Sequence, residues 1–254
     1  MLLYNSNNNK LQNKKKQKFS PAIGFFADLL FPKNCISCGK EKTFLCQDCF
    51  SLIDPSPYQY CLCAKPQRII GKGKCGRCRD RHLSGLYSAA DFEQKILKNC
   101  VHKFKYSPYL KDLAYPLAYL IILHFEALKK KMPLSSVLMP VPLFPKKERE
   151  RGFNQSGEMA KILSQAWQAE LAPDSLIKIK NTAAQAGLGK EEREKNLQNS
   201  FQLKNGDAVK GKIIYLVDDV YTTGATMEEC AKTLKEAGAA QVWGITAARE
   251  FGKW

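Results

Sequence analysis

The sequence predicts an α/β protein in which a mostly parallel sheet is flanked by helices and preceded by a small cysteine-rich module. Eight of the ten cysteines fall between Cys35 and Cys78, and they are arranged in closely spaced pairs. Further along, residues 213–217 and 242–247 are runs of apolar and β-branched residues, the pattern of strands buried on both faces. A helical pattern separates these two runs. Strand, helix and strand in this order are typical of a βαβ unit, whose two strands are parallel.

The composition divides the chain into three parts. Residues 1–18 are rich in Asn and Gln and contain five lysines, Lys10, Lys14, Lys15, Lys16 and Lys18. Because this segment has almost no apolar side chains to bury, it is predicted to be a disordered basic tail. Residues 19–85 are predicted to form a helix followed by the cysteine module, and residues 86–254 are predicted to form the α/β domain.

The net charge indicates which kinds of ligand the protein binds, and the hydropathy indicates where in the cell it is located. The formal net charge of +16 at pH 7 favours polyanions such as phosphates or nucleic acid. The most apolar stretch, Leu113–Phe125, is shorter than the ~20 residues of a membrane-spanning helix and contains Pro116 and His124. Residues 14–31 combine lysines with an apolar run, but Asp28 interrupts the run and no small-residue cleavage site follows. We therefore expect a cytoplasmic protein with no membrane span.

The cysteine pairs predict structural zinc. A C-x-x-C turn directs both sulfurs toward one point, so two such turns supply a tetrahedral Zn²⁺ and leave no open position for water. A disulfide scaffold is the alternative, and it would require an oxidising compartment that nothing else in the sequence indicates. The candidate ligands are Cys35, Cys38, Cys46, Cys49, Cys61, Cys63, Cys75 and Cys78.

Which cysteines share a metal is open at this stage. Sequential grouping places the first four ligands in one site and the last four in another, whereas interleaved grouping would mix the pairs. The Cys61-Leu-Cys63 spacing is tighter than the other three pairs, which makes the second site the weaker prediction. Cys100 and Cys230 stand apart and are interpreted as small apolar residues.

The segment after the first predicted strand has the features of a phosphate-binding loop. Asp218 and Asp219 follow the strand, and the small residues 222–226 precede a helical pattern. Gly224 allows close backbone approach, while free N–H groups and the helix dipole attract an anion. Carboxylates at the carboxyl end of a parallel strand are placed to accept hydrogen bonds from ribose hydroxyls. The alternative is an ordinary capped helix whose Asp and Thr residues serve the turn.

Residues Val217–Thr226 resemble the PRPP-binding motif of type I phosphoribosyltransferases, and the wider chain resembles the ComF (ComFC) family of competence proteins. The likeness runs from about Phe25 to Arg249, and the Arg-Gly-Phe-Asn-Gln segment makes it specific. Besides the cysteine module, it is carried by Met139–Pro145 running into Arg149–Ser156, and by Gln185–Leu188 with Arg193 and Asn196. The resemblance implies a type I phosphoribosyltransferase-like sheet behind the zinc-binding module.

The resemblance also implies roles for particular residues. Asp218 and Asp219 would hold the ribose hydroxyls of PRPP or a related ribose 5-phosphate, and the following loop would wrap the 5-phosphate. The loop after Val137–Val141 would approach the pyrophosphate together with Mg²⁺. The residues expected at the ligand are Val217, Asp218, Asp219, Tyr221, Thr222, Thr223, Gly224, Ala225 and Thr226.

Residues 190–196 resemble the mobile loop that closes over PRPP. Its cations Lys190 and Arg193 would face the charge of the leaving pyrophosphate, which makes them catalytic candidates together with Asp218 and Asp219. By composition alone, residues 191–195 are equally well interpreted as a solvated helix of mixed charge.

A basic stretch lies between the cysteines and the phosphate loop. Its members are Lys95, Lys98, His102, Lys103, Lys105 and Tyr106, followed by Lys146, Lys147, Arg149, Arg151 and Phe153. Interleaved cationic and aromatic residues suit single-stranded DNA, in which phosphates pair and bases stack. The residues alone favour a helix with a solvated basic face, and the resemblance to a family that handles transforming DNA adds weight to the DNA interpretation.

Three hypotheses follow from these observations. The first is a competence protein that binds PRPP with Mg²⁺ and single-stranded DNA in DNA uptake and natural transformation, with phosphoribosyltransferase activity left open. Competence helicases or other DNA-processing proteins are its candidate protein partners. The second is a catalytically silent DNA-binding protein with the same fold, and the third is a metabolic phosphoribosyltransferase unrelated to DNA. Fold alone does not choose among them.

Overall fold

A computed structural model describes residues 33–71, 73–133, 135–182, 197–206 and 209–251. Its strands are β1 Gln59–Tyr60, β2 Arg68–Ile69, β3 Gly85–Asp91, β4 Ser136–Pro140, β5 Glu170–Leu171, β6 Leu176–Lys178, β7 Phe201–Leu203, β8 Ile213–Tyr221 and β9 Gln241–Arg249. Its α-helices are α1 Gln47–Phe50, α2 Lys95–Lys105, α3 Ala114–Ala127, α4 Pro145–Arg151, α5 Gln155–Trp167 and α6 Ala225–Glu236. Short 3₁₀ helices cover Gly76–Cys78 and Lys111–Leu113.

The centre of the molecule is a five-stranded sheet in the order β3-β9-β8-β4-β5. Every neighbouring pair in this sheet is parallel. The predicted βαβ unit is confirmed, since α6 connects β8 to the parallel strand β9. Two small antiparallel ribbons, β1 with β2 and β6 with β7, lie outside this sheet. The predicted class, a mostly parallel sheet flanked by helices and preceded by a cysteine module, is confirmed.

The central strand β8 buries side chains on both of its faces. Because successive side chains point to opposite faces of a strand, Tyr215 and Val217 enter the apolar cluster under α3 and α5. Ile214 and Leu216 enter the cluster on the other face, which contains residues of α6. The run of apolar residues at 213–217 is therefore explained by the burial of both faces of β8.

The second half of the cysteine module is packed against the sheet. Cys61, Leu62 and Cys78 belong to the same buried cluster as Leu86 of β3 and Leu216 of β8. The first cysteines pack instead against Ile96 of α2. The module is thus attached to the α/β core at two separate places.

Several sequence-based expectations fall beyond the described ranges. The predicted tail and the helix before Lys33 lie outside the described residues, as do Lys190 and Arg193. The proposed division at residues 85 and 86 coincides with the first residue of β3, Gly85, and the domain boundaries stay a prediction. Within the described ranges, no helix combines the length and apolar character needed to cross a bilayer.

Candidate functional site

The two adjacent carboxylates lie inside β8, near its carboxyl end. The strand continues to Tyr221, four residues beyond the predicted end at Val217, because β9 keeps pairing with it through Asp218 opposite Thr246 and Tyr221 opposite Arg249. Asp219 is 1% exposed, whereas Asp218 is partly exposed. The continued pairing holds both carboxyl groups at defined positions.

Each carboxylate has its own hydrogen-bond partners. Asp218 Oδ1 accepts a hydrogen bond from the Ser156 hydroxyl at 2.8 Å and from the backbone N–H of Asp219 at 2.9 Å. Asp219 Oδ1 accepts from Lys105 Nζ at 3.0 Å and from the N–H of Val220 at 2.8 Å. Asp219 Oδ2 is buried without a hydrogen-bond partner among the described residues. This oxygen retains an unused acceptor, which a hydroxyl group or a cation can satisfy.

The close approach of the two acids changes their ionisation. Burial and the charge of Asp219 raise the pKa of Asp218 to about 7, although Lys105 and the Ser156 hydroxyl oppose the shift. Burial acts to lower the pKa of Lys105, but the charges of Asp219 and Asp218 outweigh it and raise that pKa. One lysine is therefore shared between two carboxyl groups, and a further positive charge near Asp218 would favour its ionised form.

Arg151 is a second cation close to the acidic pair. Its Nη1 atom is buried without a hydrogen-bond partner among the described residues, and its guanidinium lies 6.0 Å from the ring centroid of Tyr109. Burial lowers the pKa of Arg151 and the charge of Asp219 opposes the change. A buried guanidinium N–H without a partner is suited to binding an anion.

Lys105 and Arg151 belong to the basic stretch considered for DNA, but they lie close to the acids. Arg151 and Ser156 lie in the Arg149–Ser156 segment that carried the family likeness, so a signal for their involvement existed. Lys105 is 114 residues from Asp219 in sequence. No local pattern connects the two.

The loop after β8 turns into α6 at Gly224. Gly224 adopts φ +80°, and a Cβ atom there would lie 2.2 Å from the Tyr221 hydroxyl, so both conformation and space require glycine. Gly224 caps α6, and the N–H of Ala225 donates to Thr223 Oγ1 at 3.3 Å. Thr222 and Thr223 are partly exposed. The amino end of α6 therefore combines backbone N–H groups, hydroxyl groups and the positive end of a helix dipole.

A cavity of ≈ 390 Å³ opens at the carboxyl end of β4. It is lined by the loop that follows β4, by the start of α5 and by the β6–β7 ribbon. This loop is the one expected to approach pyrophosphate. Lys178 of β6 lines the cavity and donates to Thr182 Oγ1 at 2.8 Å. Sequence patterns gave no reason to single out Lys178.

The eight cysteines of the module form two clusters, and these follow the sequential grouping. The sulfurs of Cys35, Cys38, Cys46 and Cys49 all lie within 4.8 Å of one another, and so do those of Cys61, Cys63, Cys75 and Cys78. Cys100 and Cys230 are buried apart from both, as expected of apolar residues. Interleaved pairing is not what the structure shows.

Both clusters fit a tetrahedral metal ion. Sulfurs about 3.8 Å apart are expected around zinc with Zn–S bonds of about 2.3 Å. The observed separations are 3.6 Å for Cys38–Cys46, 3.5 Å for Cys63–Cys75 and 3.7 Å for Cys75–Cys78. Backbone N–H groups also donate to sulfur, from Cys46 to Cys35 at 3.5 Å and from Gln67 to Cys61 at 3.2 Å. Such donors stabilise thiolate ligands.

The sulfurs of each cluster differ in their readiness to ionise. Burial opposes ionisation of Cys35, but backbone N–H groups of Cys38 and Cys46 outweigh it and lower its pKa to about 6. Burial and the neighbouring sulfurs of Cys75 and Cys61 raise the pKa of Cys63 to about 12. A cluster of this kind is made fully ionised by a metal ion, since thiolates are the ligating form.

Known proteins resemble much of this chain. No protein-family model matches it. The DNA utilization protein YhgH of Escherichia coli K12 is 32% identical over 175 residues, which cover 66% of this chain and 75% of that protein. Competence protein F of Haemophilus influenzae is 28% identical over 235 residues, which cover 86% of this chain and 98% of that protein. Competence protein ComFC of Bacillus subtilis is 38% identical over 105 residues, covering 41% of this chain and 40% of that protein.

Among solved structures, the allosteric regulatory enzyme of purine biosynthesis matches 54% of this chain and 26% of its own chain. The sequence identity is 17% and the TM-score is 0.34, which is too low to bear on fold or function.

The raised pKa of Asp218 makes a prediction about stability. An unfolded aspartate has a pKa of about 3.9, so between this value and about 7 the folded protein keeps a proton that the unfolded chain has lost. Stability therefore falls as pH rises through this window. From pH 5 to pH 8, the free energy of unfolding of the wild type should fall by about 2–3 kcal/mol relative to that of Asp218→Asn. Denaturant titration in the presence of zinc measures it, and a difference that is independent of pH would contradict the assignment.

Proposed function

Because the chain belongs to the ComF family of competence proteins, we propose that it binds PRPP with Mg²⁺ and engages single-stranded DNA during DNA uptake and natural transformation. The observation that carries the proposal is one juxtaposition at the end of the central strand. Asp218 and Asp219 lie four and three residues before the start of a loop at Thr222, and Gly224 in this loop is required by both its φ angle and the Tyr221 hydroxyl.

The acidic pair suits a vicinal diol. Asp219 Oδ2 is buried and unused among the described residues, and Asp218 is partly exposed. Ribose 2′- and 3′-hydroxyls would donate to these two carboxylates, while Lys105 and Ser156 hold the carboxylates in place from behind. The interaction orients the sugar with little rearrangement of the protein.

The loop suits the 5-phosphate of the same ligand. Residues 222–226 offer backbone N–H groups at the amino end of α6 and the hydroxyls of Thr222 and Thr223. The sugar and its phosphate would thus be held by adjacent segments of one strand, loop and helix. Anion binding at a helix N-terminus follows from the helix dipole and from N–H groups that point out of the helix end.

The cavity after β4 suits the pyrophosphate end of PRPP. Lys178 lines the cavity on its β6 side. Arg151 is not a lining residue, but its Nη1 is buried without a hydrogen-bond partner among the described residues. Mg²⁺ would neutralise pyrophosphate oxygens when it is bound with PRPP. Lys190 and Arg193 are proposed to add positive charge at the leaving pyrophosphate.

Single-stranded DNA is proposed to bind along the exposed side of α2. His102 and Tyr106 are exposed, with ring centroids 4.9 Å apart, and Lys95 is exposed on the same helix. Tyr106 directly follows Lys105, which reaches the acidic pair. A strand of DNA that stacks on Tyr106 would therefore run past the PRPP site. Relatives named for competence and DNA utilization favour this reading over a purely metabolic enzyme.

Zinc is proposed to fill both cysteine clusters in a structural role. Four sulfurs per cluster leave no position for a water ligand. The cysteine module is small, and a metal compensates for the apolar core that so short a segment cannot supply.

The PRPP assignment predicts that the acidic pair is indispensable for binding. In the double variant Asp218→Asn, Asp219→Asn, affinity for PRPP with Mg²⁺ should fall at least about 100-fold, because two charged acceptors are lost. Isothermal titration calorimetry measures it, with Asp54→Asn, an exposed carboxyl, as the matched control. Unchanged affinity in the double variant would refute the ribose site.

The DNA assignment predicts that removing the Tyr106 ring weakens DNA binding and leaves the fold intact. Tyr106→Ala should weaken binding of a single-stranded oligonucleotide about 5- to 100-fold, since base–aromatic stacking contributes about 1–3 kcal/mol. Tyr58→Ala, an exposed tyrosine in the cysteine module, serves as the control. Fluorescence anisotropy at several salt concentrations measures both variants. Equal affinities for the two variants, or wild-type binding that is insensitive to salt, would contradict the proposal.

The zinc assignment predicts a particular pattern of metal loss. The wild type should hold two zinc ions per chain, and the double variant Cys35→Ser, Cys46→Ser should hold one, because both residues serve the first cluster. Cys100→Ala should retain both ions. Atomic emission after gel filtration measures the ratio. Loss of both ions in the double variant would instead support interleaved ligands.

A further inference from the structure

The second cysteine cluster is attached to the phosphate loop through one buried arginine. Arg249 ends β9 and is 2% exposed. Its Nη1 donates to the Cys61 carbonyl and its Nη2 donates to the Cys63 carbonyl, both at 2.7 Å. The short Cys61-Leu-Cys63 spacing places two carbonyls within the fork of a single guanidinium. Charge-assisted pairs of this geometry are strong and directional.

Tyr221 contacts both Arg249 and the loop at residues 222–226. The Arg249 guanidinium lies 5.1 Å from the centroid of the Tyr221 ring, and the Tyr221 hydroxyl donates to the Leu62 carbonyl at 3.4 Å. The same hydroxyl occupies the space beside Gly224 that a side chain would need. A shift of the Cys61–Cys63 segment would therefore displace the residue against which the phosphate loop packs.

Glu228 makes a second attachment on the other side of the cluster. This residue lies in the first turn of α6 and accepts hydrogen bonds from the backbone N–H groups of His82 and Leu83. The His82 ring contacts the same carboxylate at 3.1 Å. The chain that leaves Cys78 is thus fixed to the helix whose amino end faces the proposed phosphate. One attachment thus reaches Tyr221, directly before the loop, and the other reaches α6, directly after it.

Electrostatics make this arrangement depend on the metal. In the described part of the chain, no carboxylate lies within ion-pairing distance of Arg249. Four thiolates around one Zn²⁺ carry a net charge of about −2, which is the counter-charge that a buried guanidinium needs. The first cluster is attached differently, through Asn99 of α2, whose side-chain amide donates to the Ile36 carbonyl at 3.0 Å.

We propose that Arg249 is a positioning residue that couples metal binding at Cys61, Cys63, Cys75 and Cys78 to phosphate binding at residues 222–226. This inference rests on the proposed ribose 5-phosphate site. Coupling between two sites is reciprocal. A bound 5-phosphate therefore retains the metal in the second cluster, and the metal raises the affinity of the loop for the phosphate by the same factor.

The full-length protein loaded with cadmium-113 in place of zinc allows the two clusters to be observed separately by NMR. The Cys35→Ser, Cys46→Ser protein identifies the resonance of the first cluster. EDTA is added with and without saturating ribose 5-phosphate, and the decay of each resonance is followed. Ribose 5-phosphate should slow the decay at the second cluster at least about fivefold and leave the first cluster within about twofold.

Calorimetric titration of the same sample with ribose 5-phosphate distinguishes failure of the coupling from failure of the proposed phosphate site. Binding with no protection of the second cluster, or with equal protection of both clusters, would overturn the coupling and leave the proposed function standing. No binding at all would overturn the proposed site and the coupling with it.

A variant tests the role of the arginine itself. Arg249→Lys keeps the positive charge but loses the two parallel N–H groups that bind the Cys61 and Cys63 carbonyls. The variant should bind ribose 5-phosphate about tenfold more weakly. In this variant, ribose 5-phosphate should no longer slow the loss of metal from the second cluster. Arg79→Lys, an exposed arginine next to Cys78, is the matched control and should behave as the wild type. Wild-type protection in Arg249→Lys would show that the coupling does not pass through this residue.

Discussion

Two like charges held side by side in the central strand set the constraint around which the rest of the site is arranged. Asp218 and Asp219 are adjacent in β8, and their charges repel unless cations or donors surround them. Lys105 of α2 donates a hydrogen bond to Asp219, and Ser156 of α5 donates one to Asp218. Arg151 of α4 adds a further positive charge near Asp219. Three helices, of which α4 and α5 are consecutive in the chain, therefore each place a side chain near the acidic pair. A ligand that brings hydroxyl groups and a metal ion would complete the arrangement.

The cysteine module is part of this arrangement and not an independent appendage. Its first cluster lies against α2, the helix that delivers Lys105 to the acids. Its second cluster shares a buried core with β8 and α6 and is joined to β9 through Arg249. A metal in each cluster would fix the two segments on which the carboxylates and the phosphate loop depend. Such metal support would compensate for the small apolar core of the module.

The sequence predicts those structural elements whose conformation is determined by residues close to one another in the chain. The apolar run at 213–217, the glycine at 224 and the cysteine pairs each have a short-range cause, and the structure contains the corresponding strand, turn and clusters. The length of β8 was underestimated because Asp218–Tyr221 owe their extended conformation to pairing with β9, which no pattern in that segment reveals.

Long-range contacts account for what the sequence did not predict. Lys105 was interpreted as part of a solvated or DNA-binding face, but its partner Asp219 is 114 residues away. The partners of Arg249 in the cysteine module are 186 and 188 residues away. Such pairs arise from the topology of the sheet, which brings the ends of β8 and β9 next to the module. Resemblance to a family can indicate these residues, but residue patterns alone cannot.

The most direct measurement of the central claim is a crystal structure of the full chain with PRPP and Mg²⁺. The account predicts the 5-phosphate on the backbone N–H groups of residues 223–226, and the ribose hydroxyls on Asp218 and Asp219. PRPP bound at a different place, or crystals grown at saturating ligand in which these residues carry none, would contradict it.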